Sequence, residues 1–183
     1  MDKRYFANSL MLPTIDAMNS APQVAIRSAT RQDAALVASL LRQAFAEFEP
    51  LYTKKGYAST TPGADAILLR LDEGPLWLAL HEHQTVGTAS VVPKGTGFYV
   101  RGMAALPEAR GLGVRRRLLE QVELYAVEKC CERPFLSTTF FLNRAIRLYE
   151  GFGFRASDRP PHDLFGTPLF TMEKVLSRNP LAI

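Results

Sequence analysis

The feature of this chain best suited to chemistry is a glycine-bearing turn at residues 110–117, which reads Arg-Gly-Leu-Gly-Val-Arg-Arg-Arg. An apolar run at 98–106 precedes it and predicts a strand, and an amphipathic segment at 114–131 follows it and predicts a helix. Such a turn points unpaired backbone N–H groups and the positive end of the helix dipole toward one place. The sequence therefore predicts an anion site there, and a phosphate or pyrophosphate is the usual occupant.

The distribution of charge supports a small anion as the ligand. The net charge is only +4, but residues 98–119 carry five arginines against one acid, Glu108. A local basic patch on a nearly neutral remainder favours a small polyanion over a nucleic-acid duplex, which requires a broad basic face. We therefore expect no nucleic-acid partner. The rival interpretations are that the glycines merely end a strand and that arginines 115–117 form a solvated helix face.

Length and composition indicate one globular domain. We expect residues 23–177 to form it, residues 1–22 to be an N-terminal arm and residues 178–183 a C-terminal tail. No apolar run approaches the ~20 residues that span a bilayer, and no apolar segment with a cleavage site follows the charged N-terminus. Cys130 and Cys131 are adjacent on a predicted helix, which suits neither a disulfide nor a zinc site. These features predict a cytoplasmic, reduced protein without a membrane contact or a metal.

The elements around the turn follow an α+β order. Periodicity and turn signals predict strands near residues 24–28, 75–81, 85–92, 98–106, 135–139, 154 and 169–175, and helices at 34–45, 63–71, 114–131 and 143–150. Residues 47–61, which include Pro50 and Gly56, and residues 159–167 are expected to be loops. Gly102 interrupts its strand and predicts a bulge or a close backbone approach.

A second motif downstream makes the pattern specific. It reads Asn143-Arg-Ala-Ile-Arg-Leu-Tyr149-Glu-Gly-Phe152-Gly-Phe154. The succession of strand, Arg-Gly-x-Gly, helix, strand and Asn-x-x-Ala-x-x-Leu-Tyr-Glu-x-x-Gly-Phe resembles, in order and spacing, the GCN5-related N-acetyltransferase (GNAT) family. The resemblance extends over residues 24–175.

This resemblance implies a central, mixed but mostly antiparallel sheet of about seven strands, flanked by about four helices and splayed between its fourth and fifth strands. Acetyl-CoA, the co-substrate, would insert its pantetheine arm into the splay. The residues thereby assigned to the coenzyme are Met103, Ala104, Ala105, Arg110, Gly111, Leu112, Gly113, Val114, Arg115, Arg116 and Asn143. The family has Gly or Ala where Arg115 stands, so this side chain either crowds the pyrophosphate or pairs with it. Asn143 would contact pantetheine, and it is equally suited to cap its helix.

The resemblance assigns catalysis to Tyr149, which would donate a proton to the departing thiolate. A tyrosine on the apolar face of a helix is alternatively a core residue. The acceptor amine must lose a proton before it attacks, and the strand at 98–106 lacks the carboxylate base that is usual in the family. Glu47, Glu49 and His162 are the candidates for that role, directly or through water.

The acceptor site is expected where the loop 47–57 meets the last hairpin at 159–170. Five residues are assigned to it, namely Glu47, Glu49, Tyr99, Arg101 and His162. Tyr99 and Arg101 share one strand face if alternation holds. Arg101 would then bind a carboxylate of the acceptor, or it would form a surface salt bridge.

The resemblance and these residues together predict an acetyl-CoA-dependent N-acetyltransferase. It would acetylate a primary amine of a small molecule or amino-acid-like acceptor by direct attack in a ternary complex. A non-catalytic CoA-binding sensor or partner module is the first alternative, because the strand carboxylate is missing and Arg115 is unusual. A nucleotide or nucleic-acid binder is the second. The chain is expected to be a monomer or a homodimer, and its acceptor a small molecule or a peptide amine.

Overall fold

The computed structural model describes residues 24–176, so the expected arm and tail lie outside the described residues. The strands are β1 (Ala25–Ser28), β2 (Leu76–His81), β3 (Gln84–Lys94), β4 (Gly97–Ala105), β5 (Pro134–Thr138), β6 (Arg155–Ala156), β7 (His162–Leu164) and β8 (Thr167–Glu173). The helices are α1 (Ala34–Phe45), α2 (Lys54–Thr60), α3 (Ala64–Glu73), α4 (Val114–Glu128) and α5 (Asn143–Gly151). None of the helices between residues 24 and 176 is both long and apolar enough to span a bilayer.

One mixed sheet organises the molecule. Its strand order is β1-β2-β3-β4-β5-β8-β6, and β7 pairs with β8. The first four strands are antiparallel neighbours; short turns join β2 to β3 and β3 to β4, whereas helices α1 to α3 lie between β1 and β2. Strand β5 reaches the sheet through the crossover helix α4 and lies parallel to β4. The predicted fold class is confirmed, with the parallel pair at its centre.

The sheet is buried on both faces. Helices α4 and α5 cover one face, where Leu118 and Leu119 pack with Trp77 and Phe154 in a single buried cluster. Helices α1 and α3 cover the other face, where a second cluster surrounds Ile67. The hydrophobic effect thus fixes both helix layers against the sheet.

The splay of the sheet lies where it was expected, between the fourth and fifth strands. The β4–β5 ladder has three residue pairs, Phe98 with Pro134, Tyr99 with Phe135 and Val100 with Leu136. Beyond Val100, β4 continues to Ala105 beside β3 alone. The edge that β4 turns toward β5 is therefore available over its last five residues, 101–105.

The bulge predicted at Gly102 lies where this separation begins. Gly102 has a φ of +60°, and the β3–β4 register shifts there, between Thr88 and Ser90. A positive φ costs other residues roughly 1–2 kcal/mol, which explains glycine at this position. An extra residue of this kind bends its strand and interrupts the alternation of its side chains, which accords with the end of the β4–β5 ladder at Val100.

The loop predicted at 47–61 is wrong in part, because residues Lys54–Thr60 form α2. The hydroxyl of Thr53 accepts a hydrogen bond from the Gly56 N–H at 3.0 Å and caps this helix. Gly56 is there because it packs closely, not because the chain turns: a Cβ on it would lie 2.4 Å from the Thr167 hydroxyl. The loop predicted at 159–167 likewise contains β7, so the described residues hold eight strands and five α-helices instead of seven and four.

Candidate functional site

The anion turn opens one end of the splay. Gly111 and Gly113 have φ values of +87° and +73°, and a Cβ on either would meet no atom within 4 Å, so the turn is open. The first intrahelical bond of α4 runs from the Arg117 N–H to the Gly113 carbonyl at 3.0 Å. The amides of Val114, Arg115 and Arg116 precede that bond and have no acceptor within the helix. The turn therefore offers several N–H donors to an anion.

Arginines in two different environments surround this turn. Arg110 pairs with Glu47, and Arg116 and Arg117 both pair with Glu120 on the surface of α4. Arg115 instead points inward, forms no ion pair with any residue of the described part of the chain, and lies near Tyr149. Burial lowers the pKa of Arg115, Tyr149 opposes that effect, and the charges of Arg110 and Arg144 add to it.

Two cavities meet at these arginines. One, of about 380 Å³, lies against the turn and reaches Ala105 on β4. The other, of about 410 Å³, is lined by Glu47 and Asn143. Both cavities are bordered by Arg110, Arg115 and Arg144, so the positive charge lies between them. Asn143 is exposed at the first position of α5, where Leu142 holds the cap position, so Asn143 is not the cap residue.

Tyr149 is both a core residue and a cavity residue. Its side chain is 6% exposed and lies 6.1 Å from the Phe154 ring, measured between centroids. It also borders a third cavity, of about 300 Å³, between the separated ends of β4 and β5. Burial raises the pKa of Tyr149 to about 12, although the Arg115 charge opposes this shift. Its phenol is therefore protonated at neutral pH and can donate a proton.

The third cavity, named the acceptor cavity after the acceptor site expected there, has walls from eight helices and strands. Its aromatic and aliphatic walls are Phe45, Tyr52, Tyr99, Leu164 and Leu169. Its polar lining is Ser59, Thr60, Arg70, Arg101, Ser137, Thr138 and Thr139. Gly102 and Met103 of the bulge also reach it, so residues 99–103 all border the cavity without strict alternation. Arg101 pairs with Glu73, which is the salt bridge offered as the alternative to its binding a substrate.

The three candidate bases occupy different places. Glu47 pairs with Arg110 beside the glycine turn. Glu49 is exposed. Burial raises the pKa of Tyr57, and the negative charge of Glu49 raises it further. His162 is exposed on β7, and its Nε2 lies 3.1 Å from the Ser137 hydroxyl, which faces the acceptor cavity. His162 is therefore the candidate with a direct hydrogen-bonded path to that cavity.

Sequence reasoning missed several lining residues, and Arg70 on α3 is the most informative. Arg70 lies three residues after the fully buried Ile67, so helical spacing puts both on one face. An arginine on the apolar face of a short helix was the feature of the sequence that could have indicated a lining residue here. Thr138 gave no such signal in the sequence. Its hydroxyl is buried and neither accepts nor donates a hydrogen bond within residues 24–176.

Across the same residues, no three His, Cys, Asp or Glu side chains group closely enough to hold a metal ion.

Known proteins with the same pattern are found by sequence and by structure. A family model described as an acetyltransferase (GNAT) domain matches residues 72–156. The uncharacterized N-acetyltransferase YjgM of Escherichia coli K12 is 34% identical over 149 residues, which cover 76% of this chain and 87% of that protein.

Two solved structures share the fold. The PaiA N-acetyltransferase of Thermoplasma acidophilum, in complex with coenzyme A, aligns with a TM-score of 0.71 at 16% identity over 84% of this chain and 99% of that one. A GNAT family acetyltransferase of Elizabethkingia anophelis with acetyl-CoA bound aligns with a TM-score of 0.62 at 20% identity over 85% of this chain and all of that one. At these identities, the likeness is one of fold.

Proposed function

The chain belongs to the GNAT family of N-acetyltransferases, and from this premise we propose that it transfers the acetyl group of acetyl-CoA to a primary amine of a small molecule or amino-acid-like acceptor. The observation that carries the proposal is the gap between β4 and β5. It begins where their ladder ends at Val100 and Leu136, and it connects an open anion turn with a cavity that contains Tyr149.

The coenzyme is proposed to lie along this gap. The amides at residues 111–116, with Arg115 and Arg144 beside them, would hold the pyrophosphate. The free edge of β4 at Met103, Ala104 and Ala105 would pair with the pantetheine arm in the manner of an added strand. Asn143, exposed beside the shared arginines, would contact the same arm from the opposite side.

Tyr149 is proposed as the catalytic acid. The amine nitrogen would form a bond to the thioester carbonyl carbon while the carbon–sulfur bond breaks. The phenol would give its proton to the leaving sulfur, which departs as the thiol of CoA. A backbone N–H of β4 near Ala104 or Ala105 would polarise the carbonyl oxygen. The products are an N-acetylated acceptor and free CoA.

The proton lost by the amine is proposed to leave through Ser137 and His162. The Ser137 hydroxyl borders the acceptor cavity, and the exposed His162 contacts it at 3.1 Å and meets solvent. This relay would take the place of the carboxylate that β4 does not provide, since its charged residue is Arg101.

The proposal is tested by measuring thiol release from acetyl-CoA with a panel of primary amines, alongside calorimetric titration with CoA. We expect saturable CoA binding and amine-dependent thiol release, with mass spectrometry of the product showing one added acetyl group. CoA binding without thiol release from any amine would instead identify a CoA-binding module. Absence of CoA binding would reject the placement of the coenzyme as well.

A further inference from the structure

The acceptor cavity contains an arginine without a counter-ion. Arg70 is half-buried on α3, and its guanidinium donates one hydrogen bond, to the Ser59 carbonyl at 3.1 Å. No carboxylate of residues 24–176 forms an ion pair with it. Of the two acids that follow it, Asp72 pairs with Arg31, and Glu73, whose charge also acts on Arg70, pairs with Arg101. Arg70 therefore keeps most of its five donors free on the cavity side.

The charged side chains that line the cavity are both positive. Arg70 and Arg101 both line it, and none of its lining residues within the described chain is an aspartate or glutamate. The Nε of Arg101 is buried and makes no hydrogen bond with any described residue. Two adjacent guanidinium groups repel each other, and burial makes that repulsion stronger than it would be in water. A ligand with an anionic group would relieve both costs.

The remaining walls limit what else the ligand carries. Phe45, Tyr52 and Leu169 are apolar surfaces, and the buried Thr138 hydroxyl is among the hydrogen-bonding groups of the wall that remain unused. The cavity of about 300 Å³ is at the small end of the range for ligand pockets. It suits a single small molecule better than a length of polypeptide.

We propose that Arg70 anchors a carboxylate of the acceptor, so that the acceptor is a free amino acid, or a similar small amine with a carboxylate and an apolar side chain. This inference rests on the proposed function and narrows it. The planar guanidinium matches a carboxylate with two parallel hydrogen bonds, which holds the neighbouring amine in a fixed position. Polyamines and other wholly cationic acceptors are excluded by the same charge, because no acid in the cavity would compensate theirs.

The first test compares acceptors that differ in the carboxylate alone. Wild-type enzyme is assayed with L-phenylalanine, phenylalaninamide and phenethylamine, and with L-leucine, leucinamide and 3-methylbutylamine. We expect kcat/KM for each amino acid to exceed that of its amide and its decarboxylated partner by about 10- to 100-fold, the worth of a charge-assisted hydrogen bond. Equal or higher values for the uncharged partners would overturn the inference.

The second test changes the anchor. Arg70→Gln keeps a donor for the Ser59 carbonyl but removes the charge, and Arg70→Lys keeps the charge but removes the planar fork. We expect Arg70→Gln to raise KM for the amino acid about 10- to 100-fold while leaving the decarboxylated amine within about threefold, with Arg70→Lys in between. The matched control is Arg31→Gln, because Arg31 pairs with Asp72 on the surface and does not line the cavity.

The outcomes separate this inference from the function on which it rests. Thiol release with every amine tested, independent of carboxylate and of Arg70, would leave the acetyltransferase intact and refute the anchor. CoA binding with no thiol release from any acceptor would refute the function itself. If Arg70→Gln lowers the melting temperature or CoA affinity, Arg70→Lys and the wild-type acceptor ratios still decide the question.

Discussion

The two ends of the gap between β4 and β5 share one arrangement of charge. At the anion turn, Arg110 is neutralised by Glu47 and the inward Arg115 forms no ion pair with a described residue. At the acceptor cavity, Arg101 is neutralised by Glu73 and Arg70 forms none. Each end thus combines a paired arginine, fixed by a carboxylate, with an unpaired one available to a ligand. As proposed, each end would receive an anionic group, and Tyr149 borders the acceptor cavity on the side of Arg115.

The two ends differ in how they are built. The turn comes from one short segment, residues 110–116, so its donors are placed by local backbone geometry. The acceptor cavity is assembled from α1, α2, α3, β4, β5, α5 and the β7–β8 hairpin. A local site tolerates change elsewhere in the molecule, whereas an assembled site depends on the packing of every contributor. The turn should therefore be less sensitive than the acceptor cavity to substitutions elsewhere in the molecule.

The largest effect is expected from Tyr149→Phe, which removes the proposed acid from between the two ends and keeps the ring in the core. We expect kcat to fall at least about 100-fold, the usual contribution of general-acid catalysis, with CoA affinity nearly unchanged. Stopped assays of thiol release and calorimetry with CoA measure the two quantities. Tyr125→Phe is the control, since Tyr125 packs on Trp77 and Phe98 away from the gap. Unchanged kcat in Tyr149→Phe would contradict the assigned role.

An intermediate effect is expected from Arg115→Ala, which restores the small residue common in the family. If the pyrophosphate is the missing counter-ion of Arg115, the Kd for CoA rises about tenfold, as for loss of a charge-assisted hydrogen bond. Arg116→Ala is the matched control, because Arg116 is exposed and already paired with Glu120, and its Kd should stay within about threefold. Tighter binding by Arg115→Ala would show instead that the long side chain obstructs the site.

The smallest expected effect concerns kcat at alkaline pH, which should not change. Burial raises the pKa of Tyr149 to about 12, and a phenol with a raised pKa keeps its proton to higher pH than an ordinary tyrosine. With a saturating acceptor, kcat should therefore not decline between about pH 8 and pH 10, near the ordinary pKa of tyrosine. A loss of kcat centred near pH 10, absent in Tyr149→Phe, would show that the phenol titrates normally.

The sequence supported the prediction of the local end better than that of the assembled end. The turn at Gly111 and Gly113 and the helix that begins at Val114 could be predicted from backbone preferences that act over a few residues. Gly102 indicated its bulge in the same way. The order of strands and the splay came from the family resemblance. Tyr149 could be assigned both to the core and to the cavity, and the structure places it at their boundary.

The rest required contacts between distant segments. Helix α2 was missed because Pro50 and Gly56 look like loop residues, while Gly56 in fact packs against Thr167 more than a hundred residues later. Arg70 carries a charge that helical spacing alone would place inside, but its neighbour Arg101 comes from β4. No pattern of nearby residues reveals that two arginines from different elements face one space.

The short β4–β5 ladder has a consequence for the energetics of the whole molecule. The backbone ladder between β4 and β5 has three residue pairs, and the shared core around Leu118 and Phe154 completes the connection between the β5–β8 part and the part that carries β1 to β4. A bound strand-like ligand would supply the missing rungs, so saturation with coenzyme should sharpen thermal unfolding as well as raise its midpoint. Amide protons of β5 would then exchange with solvent in step with those of β4.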